Sequence, residues 1–245
     1  MRITGREASP RFCAGSRAGA YCCAMNDVLG VLFDFGGTLF AHDPLAATIM
    51  STSRRLGTEV TSQWAEALAD RVQSAAHTAD ELRHPRDLDD RVWRQRWHVL
   101  YALADDEIPG LGAELYGAMH DPLQWQPYAA TVATLQRVHA TGVPIAVVSN
   151  TGWDVRTVFA ARDLQHLVHT FVLSYEVGAV KPSPQIFHDA CRALHVQPQH
   201  ALMVGDDPVA DAGAVRAGLR TLLLPALPPG AANGVEAAAR IVTGE

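Results

Sequence analysis

The feature that most constrains the fold is a regular alternation of short apolar runs and helical segments after Pro127. The pattern predicts helices at 129–141, 153–162, 184–194 and 209–217, and strands at 143–148, 170–174, 200–204 and 219–224. Strands separated by helices favour a parallel sheet that is covered on both faces. We therefore expect an α/β fold built on a doubly wound parallel sheet.

An apolar run earlier in the chain, VLGVLFDFGGTL at 28–39, predicts one more buried strand. Asp34 stands where this strand should end, and Gly36, Gly37 and Thr38 follow as a tight turn. A carboxylate at the carboxyl end of a parallel strand, beside backbone N–H groups that glycines expose, suits phosphoryl chemistry. The alternative is an aspartate that begins an ordinary turn.

Between these regions, residues 42–126 have the character of a helical insertion. Strand-like runs stop, and apolar residues recur at helical spacing, as from Trp64 to Val72. Prolines divide the segment into three or four predicted helices. We interpret Trp93 and Trp97 mainly as core residues of this segment, with the lining of a pocket as the alternative.

The composition narrows the class of protein and partner. With 48% hydrophobic residues, the 245-residue chain can bury a sizeable core, as one domain with an insertion or as two. A net charge of −6 gives no reason to expect nucleic acid or an anionic membrane as a partner. No apolar run reaches the ~18 residues that indicate a membrane span. The four cysteines show no metal-type spacing, which favours a reducing, cytoplasmic setting.

Residues 1–27 have the composition of an extension. They are rich in Arg, Gly, Ala and Ser and lack the apolar core of a secretory signal. Their arginine-rich, acid-poor character is faintly similar to a transit peptide, and a start codon assigned upstream of Met25 is an equal alternative. We expect this extension to be disordered and without function.

Polar residues at the ends of other predicted strands should meet Asp34, because ligands bind beyond the carboxyl ends of such strands. Ser149 offers a hydroxyl, and the amides of Asn150 and Thr151 lie at a strand-to-helix turn, where an anion is favoured. Asp206 could share one hard cation with Asp34 through oxygen ligands, as Mg²⁺ prefers.

The chain has a single lysine, Lys181, among its 20 lysine and arginine residues. It stands in a loop between Gly178 and Pro182. All the other basic residues of this kind are arginines. A lysine in this loop therefore indicates that the position requires a compact ammonium group. The alternative is a surface lysine without a function.

Four segments occur in a set order: FDFGGTL at 33–39, VVSNT at 147–151, GAVKPSPQIF at 178–187 and MVGDDPVADAGAVRAG at 203–218. Together they resemble the four motifs of the haloacid dehalogenase-like (HAD) hydrolase superfamily. The resemblance implies a Rossmann-like catalytic core formed by 28–41 and 127–245. It also implies a helical cap of the C1 type at 42–126, between the first and second motifs.

The resemblance further implies catalytic roles. Asp34 would be the nucleophile that forms an aspartyl-phosphate, and Ser149 and Lys181 would hold the phosphoryl group during the transfer. A covalent intermediate of this kind splits one displacement into two steps. The expected substrate is a small phosphorylated molecule, and the expected phosphate-binding residues are Gly37, Thr38, Ser149, Asn150 and Lys181.

The metal site is implied in the same way. Asp34, Asp206 and the backbone carbonyl of Gly36 would bind Mg²⁺, which neutralises charge on the phosphoryl oxygens. Asp211 would orient the residues around the metal, and Asp207 is a further candidate.

One position departs from the family pattern. Phosphatases of the family usually carry a second aspartate two residues after the nucleophile as general acid and base, and here that residue is Gly36. Such catalysis typically contributes ~10²- to 10⁴-fold. Three alternatives stay open: His42 or Asp43 supplies the proton, the leaving group needs none, or the chemistry differs.

Family members without the second aspartate include 2-haloacid dehalogenases and phosphonoacetaldehyde hydrolases. The latter use a cap lysine, and 42–126 contains none. A displaced halide needs no proton, which suits Gly36, but the aromatic residue usual there is missing and the Asp206–Asp207 turn favours a metal. We therefore favour a Mg²⁺-dependent phosphatase. A dehalogenase-like carbon-centred hydrolase and a weakened phosphate-binding or regulatory protein are the alternatives.

Overall fold

Five parallel strands form a central sheet in a computed structural model that describes residues 28–245. The expected disorder of 1–27 falls on residues outside this range. The strands of the described part are β1 (Gly30–Phe33), β2 (Phe40–His42), β3 (Trp125–Pro127), β4 (Ile145–Ser149), β5 (Thr170–Leu173), β6 (Ala201–Gly205) and β7 (Arg220–Leu223). The α-helices are α1 (Leu45–Arg55), α2 (Ser62–Ala76), α3 (Asp90–Tyr101), α4 (Leu111–His120), α5 (Thr131–Ala140), α6 (Arg156–Ala160), α7 (Ser174–Val177), α8 (Pro184–Ala193) and α9 (Glu236–Thr243).

The strand order of the sheet is β5-β4-β1-β6-β7. β1 is central, and its Phe33 pairs with Val147 of β4 and Val204 of β6. Every residue of β1, β4 and β6 is buried, as expected of strands covered on both faces. The doubly wound α/β prediction is confirmed. Because the strand order reverses beside β1, the carboxyl ends of β1, β4 and β6 border the crevice where such folds bind ligands.

Successive side chains of β1 point to opposite faces of the sheet and join two separate apolar cores. Val31 and Phe33 pack with Leu135 of α5 and Phe159 of α6 on one face. Leu32 packs on the other face with the core that α8 completes. Because the side chains of β1 point alternately to the two faces, helices pack on both faces of the sheet. The ends of the strands stay open for a site.

Four helices, α1 to α4, form the insertion between β2 and β3 and bury an apolar cluster of their own. Two short strands join the ends of this insertion, and their antiparallel register pairs Phe40 with Pro127 and His42 with Trp125. The expectation that strands are missing from 42–126 was therefore wrong at both ends. Each of these strands has three residues, which is too short for a periodic pattern.

Other elements differ in extent from their predictions. α6 spans five residues instead of 153–162, because Thr151 and Trp153 hydrogen-bond to each other in an irregular loop after β4. The predicted helix at 209–217 is a 3₁₀ helix at Ala212–Ala217. α9 was not predicted, and it packs its buried Ala238 and Ala239 on the same core as α5.

None of the helices formed by residues 28–245 is long and apolar enough to cross a bilayer.

Candidate active site

Three carboxylates meet at the carboxyl end of the sheet. Asp34 follows β1, Asp206 follows β6, and Asp211 lies five residues further on, with one oxygen of each within 4.8 Å of the others. The structure thus brings together Asp34 and Asp206, which the sequence placed at the ends of two strands. Carboxylate oxygens in this number suit a hard divalent cation.

The ammonium group of Lys181 lies between two of these carboxylates. Lys181 Nζ donates to Asp34 Oδ1 at 2.5 Å and to Asp211 Oδ1 at 2.7 Å. All three side chains are buried, and Lys181 is 5% exposed. Burial alone would lower the pKa of Lys181, but Asp34 and Asp211 together raise it, so the ammonium form is held. Removing either partner of a buried pair is costly, because the other charge is then uncompensated.

Burial also acts on the carboxylates. It raises the pKa of Asp34 to about 7, with Lys181 opposing the shift and the nearby Asp211 and Asp206 adding to it. Burial likewise raises the pKa of Asp206. Three carboxylates therefore share one ammonium group among the described residues. A divalent cation fits this donor set, because it would balance the remaining negative charge.

Asp211 also fixes the turn that carries Asp206. Its Oδ2 accepts hydrogen bonds from the backbone N–H groups of Asp206 and Asp207, both at 3.0 Å. Glycines allow the close packing of these groups: a Cβ at Gly205 would overlap the Asp211 carboxylate, and a Cβ at Gly37 would overlap that of Asp206. Gly37 also has a φ of +84°, a conformation that favours glycine.

The loop after β4 holds Lys181 in place. The Asn150 side chain donates through Nδ2 to the Lys181 carbonyl at 2.9 Å, and its Oδ1 accepts from the Lys181 N–H at 2.7 Å. Thr151 was expected to offer its amide to an anion, but this N–H donates to Ser174 Oγ at 2.9 Å. Ser149, at the end of β4, is buried and lines the cavity described below.

The turn after β1 uses its polar groups within the protein. The Gly37 N–H donates to the Phe40 carbonyl at 2.8 Å. Thr38 is fully buried, and its hydroxyl donates to Asp206 Oδ1 at 3.1 Å. A phosphate contact from Gly37 or Thr38 stays a prediction.

A cavity of about 760 Å³ opens from this cluster toward the helical insertion. Asp34, Ser149 and Lys181 lie on its floor, and side chains from the insertion line its walls. Trp93 and Trp97 are half-buried and belong to this lining, which favours the pocket alternative over a purely structural core. Sequence reasoning missed Trp125 and Trp153, because they come from separate segments whose meeting depends on the fold.

His42 and Asp43, the two candidates for a missing proton donor, both line the cavity. The His42 ring has Nδ1 3.0 Å from the Asp43 carbonyl and Nε2 3.2 Å from the Ala118 carbonyl. Carbonyl oxygens only accept hydrogen bonds, so whichever ring nitrogen carries the proton donates it to a carbonyl of the protein. Asp43 is exposed at the edge of the cavity.

His120 supports the wall behind Trp93. Trp93 Nε1 donates to His120 Nε2 at 3.2 Å, and the other ring nitrogen, Nδ1, lies 2.8 Å from the Tyr116 carbonyl. The proton of the neutral ring therefore sits on Nδ1, and Nε2 is an acceptor. Burial lowers the pKa of His120, the hydrogen bond with the Tyr116 carbonyl opposes the shift, and the nearby Arg94 adds to it.

Protonation of His120 at low pH should therefore destabilise the folded protein. The unfolded chain takes up a proton at His120 near pH 6.5, whereas the folded protein resists it to a lower pH, so stability falls as the pH drops below about 6.5. A loss of about 1 kcal/mol corresponds to roughly 2–4 °C in melting temperature for a chain of this size. We expect the melting temperature of His120→Gln to fall less than that of the wild type when the pH is lowered from 7.5 to 5.5. The control His84→Gln, at an exposed site, should behave as the wild type. An equal loss in all three proteins would contradict the assignment.

The parallel sheet, the helical insertion between β2 and β3 and the acidic cluster at the strand ends define a Rossmann-like α/β protein with a carboxylate-lined site. The family model for haloacid dehalogenase-like hydrolases matches residues 28–218, and the chain belongs to this family. Over 203 residues, it is 30% identical to a glyceraldehyde 3-phosphate phosphatase of Methanopyrus kandleri, covering 80% of this chain and 83% of that protein.

Solved structures share the fold. A 2-haloacid dehalogenase from Pseudomonas syringae pv. Tomato DC3000 is similar, with a TM-score of 0.59, 22% identity, and coverage of 89% of this chain and 99% of that one. A HAD phosphatase from Thermococcus onnurineus is similar with a TM-score of 0.54, 23% identity, and coverage of 80% of this chain and 85% of that one. Proteins described as a phosphatase and as a dehalogenase therefore share this architecture.

Proposed function

We propose that this protein is a Mg²⁺-dependent phosphatase that hydrolyses a small phosphorylated molecule through an aspartyl-phosphate at Asp34. The observation that carries the proposal is the charge arrangement on the cavity floor, where three carboxylates share one ammonium group. A divalent cation would complete this arrangement. A phosphoryl group above Asp34 would then meet positive charge from both the cation and Lys181.

The residues of the floor would act in two steps. Asp34 attacks the phosphorus atom, the bond from phosphorus to the leaving oxygen breaks, and an aspartyl-phosphate forms. Water then attacks the same phosphorus atom, which releases phosphate and restores the carboxylate. Lys181, whose Nζ lies 2.5 Å from Asp34 Oδ1, would hold a phosphoryl oxygen beside the nucleophile, and the Ser149 hydroxyl would hold another.

Asp34, Asp206 and the Gly36 carbonyl would hold Mg²⁺, with the helical insertion acting as a cap over the site. The bound cation supplies charge stabilisation to the phosphoryl oxygens. Asp211 positions Lys181 and the turn of Asp206 through the hydrogen bonds described above. Asp207 is a poorer candidate ligand, because its Oδ1 already accepts from the N–H groups at positions 209 and 210 at 2.7 and 2.8 Å.

A haloacid dehalogenase is the competing chemistry, and the charges of the cavity disfavour it. A haloacid carries a carboxylate that needs a positive partner. Among the described residues that line the cavity, Lys181 is the single lysine or arginine, and it is held between Asp34 and Asp211. An anionic haloacid would also meet the repulsion of the carboxylate cluster without a metal to offset it.

The test compares hydrolysis of a nitrophenyl phosphate with release of halide from 2-chloropropionate, each with Mg²⁺ and with EDTA. We expect turnover of the phosphate ester in Mg²⁺, loss of this turnover in EDTA, and its return when Mg²⁺ is added in excess. Halide release that is indifferent to EDTA, without phosphate release, would replace the proposal by a dehalogenase. Stabilisation of the protein by Mg²⁺ with phosphate, but without turnover of either substrate, would indicate a binding protein.

A further inference from the structure

Four of the five tryptophans of the chain line one cavity, the one that opens from Asp34. Trp93 and Trp97 come from α3, Trp125 from β3 and Trp153 from the loop after β4. Their ring centroids lie 5.6 Å apart for Trp93 and Trp97 and 6.0 Å apart for Trp125 and Trp153. Phe35 and Tyr101 extend the same wall. A cavity of about 760 Å³ with this lining has room for an aromatic group beyond the phosphoryl position.

These indoles face the cavity as apolar surfaces. The Trp125 Nε1–H donates to the Met119 carbonyl at 2.9 Å, and the Trp93 Nε1–H donates to His120 Nε2. The polar edges of these two indoles are therefore used within the protein, and their ring carbons are left to meet a ligand. Such walls favour planar apolar groups, because aromatic pairs gain both buried area and ring–ring attraction.

Charge in the cavity argues against a second anionic group on the substrate. Among the described residues of the lining, Lys181 is the one lysine or arginine, and it belongs to the floor. The acidic groups at the edge are Asp43 and Asp207, both exposed. A carboxylate or second phosphate on the substrate would find no permanent positive partner along these walls.

The surroundings of position 36 independently indicate a substrate whose leaving group needs no proton. A Cβ built on Gly36 would lie 3.6 Å from Cζ3 of Trp125, so an indole edge borders the place from which an acidic side chain would reach the leaving group. The ring N–H of His42 donates to a carbonyl oxygen, as described above. A phenol has a pKa of ~10, as tyrosine does, and its anion leaves without a proton far more readily than an alkoxide.

From these observations we infer that the natural substrate is a monoester of phosphate with a phenol, whose ring stacks in the tryptophan-lined cavity. The inference rests on the proposed phosphatase function. Asp34 attacks phosphorus, the bond from phosphorus to the phenolic oxygen breaks, and the electron pair leaves with the phenolate. Hydrolysis of the aspartyl-phosphate consumes one water, so the dianionic ester and water yield phenolate and dihydrogen phosphate.

The test measures kcat/KM with Mg²⁺ for phenyl phosphate, cyclohexyl phosphate, phosphocholine, glyceraldehyde 3-phosphate and acetyl phosphate. Phenyl and cyclohexyl phosphate match in size and differ in the acidity of the leaving group. Acetyl phosphate is small and activated, so it reports on the phosphatase chemistry without needing the aromatic walls. We expect phenyl phosphate to exceed cyclohexyl phosphate by about 100-fold or more, which is the contribution that a missing general acid removes.

Two variants separate the effects of the wall and of position 36. Trp153→Leu should lower the ratio of phenyl to acetyl phosphate kcat/KM by about tenfold. The matched control Trp64→Leu should leave that ratio unchanged, since Trp64 contacts Glu107 and lies outside the cavity lining. Gly36→Asp should raise cyclohexyl phosphate hydrolysis by about 100-fold or more relative to phenyl phosphate, because it introduces an acid. In the wild type, a series of substituted phenyl phosphates should lose kcat/KM steeply as the phenol becomes less acidic.

The outcomes distinguish a failure of the proposed phosphatase function from a failure of the substrate inference alone. Absence of hydrolysis of all five compounds, the activated acetyl phosphate included, would overturn the phosphatase function, and the substrate inference with it. Acetyl phosphate hydrolysis with equal rates for phenyl and cyclohexyl phosphate would leave the phosphatase and overturn the inference. A preference for phosphocholine or glyceraldehyde 3-phosphate over phenyl phosphate would also overturn it, as would an unchanged phenyl to acetyl ratio in a folded Trp153→Leu protein.

Discussion

Asp34→Asn should abolish phosphatase turnover, with a loss on the order of 10⁴-fold or more, because the nucleophile and the charges around it act as one unit. Asparagine has the same shape as aspartate but does not form an acyl phosphate. The fold should persist, since Lys181 keeps Asp211 as a partner at 2.7 Å.

The stability of this variant tests the electrostatics of the site. Burial raises the pKa of Asp34 to about 7, so the metal-free folded protein keeps a proton there that the unfolded chain releases near pH 4. The contribution of Asp34 to the stability of the wild type in EDTA therefore falls as the pH rises from about 4 to about 7, opposite in sign to that of His120, and asparagine avoids this loss. We expect the melting temperature of Asp34→Asn relative to wild type to increase between pH 5 and pH 7.5 in EDTA.

Mg²⁺ supplies the control for this prediction. The cation should raise the melting temperature of the wild type more than that of Asp34→Asn, because the variant lacks one carboxylate ligand. A variant that keeps turnover, or whose melting temperature relative to wild type falls between pH 5 and pH 7.5 in EDTA, would contradict the role and the surroundings assigned to Asp34.

The largest loss of stability is expected for Lys181→Met. This change removes the one ammonium group that three buried or partly buried carboxylates share, and it leaves Asp34 and Asp211 without a positive partner. Breaking a buried pair in this way typically costs ~3–5 kcal/mol. Equilibrium unfolding in denaturant at pH 7.5 with EDTA measures the loss directly, and turnover should fall as well because the phosphoryl group loses its ammonium partner.

A matched variant removes a positive charge elsewhere. Arg216→Met changes the net charge equally at an exposed position, and its free energy of unfolding should stay within ~0.5 kcal/mol of the wild type. Mg²⁺ should restore part of the stability of Lys181→Met, because a divalent cation compensates the same carboxylates. Equal stabilities of the lysine variant and the wild type in EDTA would show that the buried pairs do not form.

The sequence predicted the parts of this molecule that depend on local pattern. β1, β4 and β6 are apolar runs that end in short polar groups, so both the sheet and the approach of Asp34 to Asp206 followed from parallel packing. The importance of Lys181 followed from its rarity in the chain.

The parts that depend on contacts between distant segments were not predictable. The β2–β3 ribbon pairs Phe40 with Pro127, 87 positions further along the chain, and each strand is too short to show a periodic pattern. The amide of Thr151 is used by Ser174, whose hydroxyl also donates to the Asp87 carbonyl of the insertion. The aromatic cavity likewise exists only once the insertion lies against the loop after β4, where a Cβ at Gly152 would overlap Trp93.

The most direct test of the central claim is an acid quench of the wild-type protein during turnover of ³²P-labelled nitrophenyl phosphate in Mg²⁺. We expect label bound to the protein, released by hydroxylamine as an acyl phosphate is, and located in the peptide that contains Asp34. The label should be absent in EDTA and in Asp34→Asn. Steady turnover with label on a residue other than Asp34, or label formation that is indifferent to EDTA, would contradict a Mg²⁺-dependent aspartyl-phosphate mechanism.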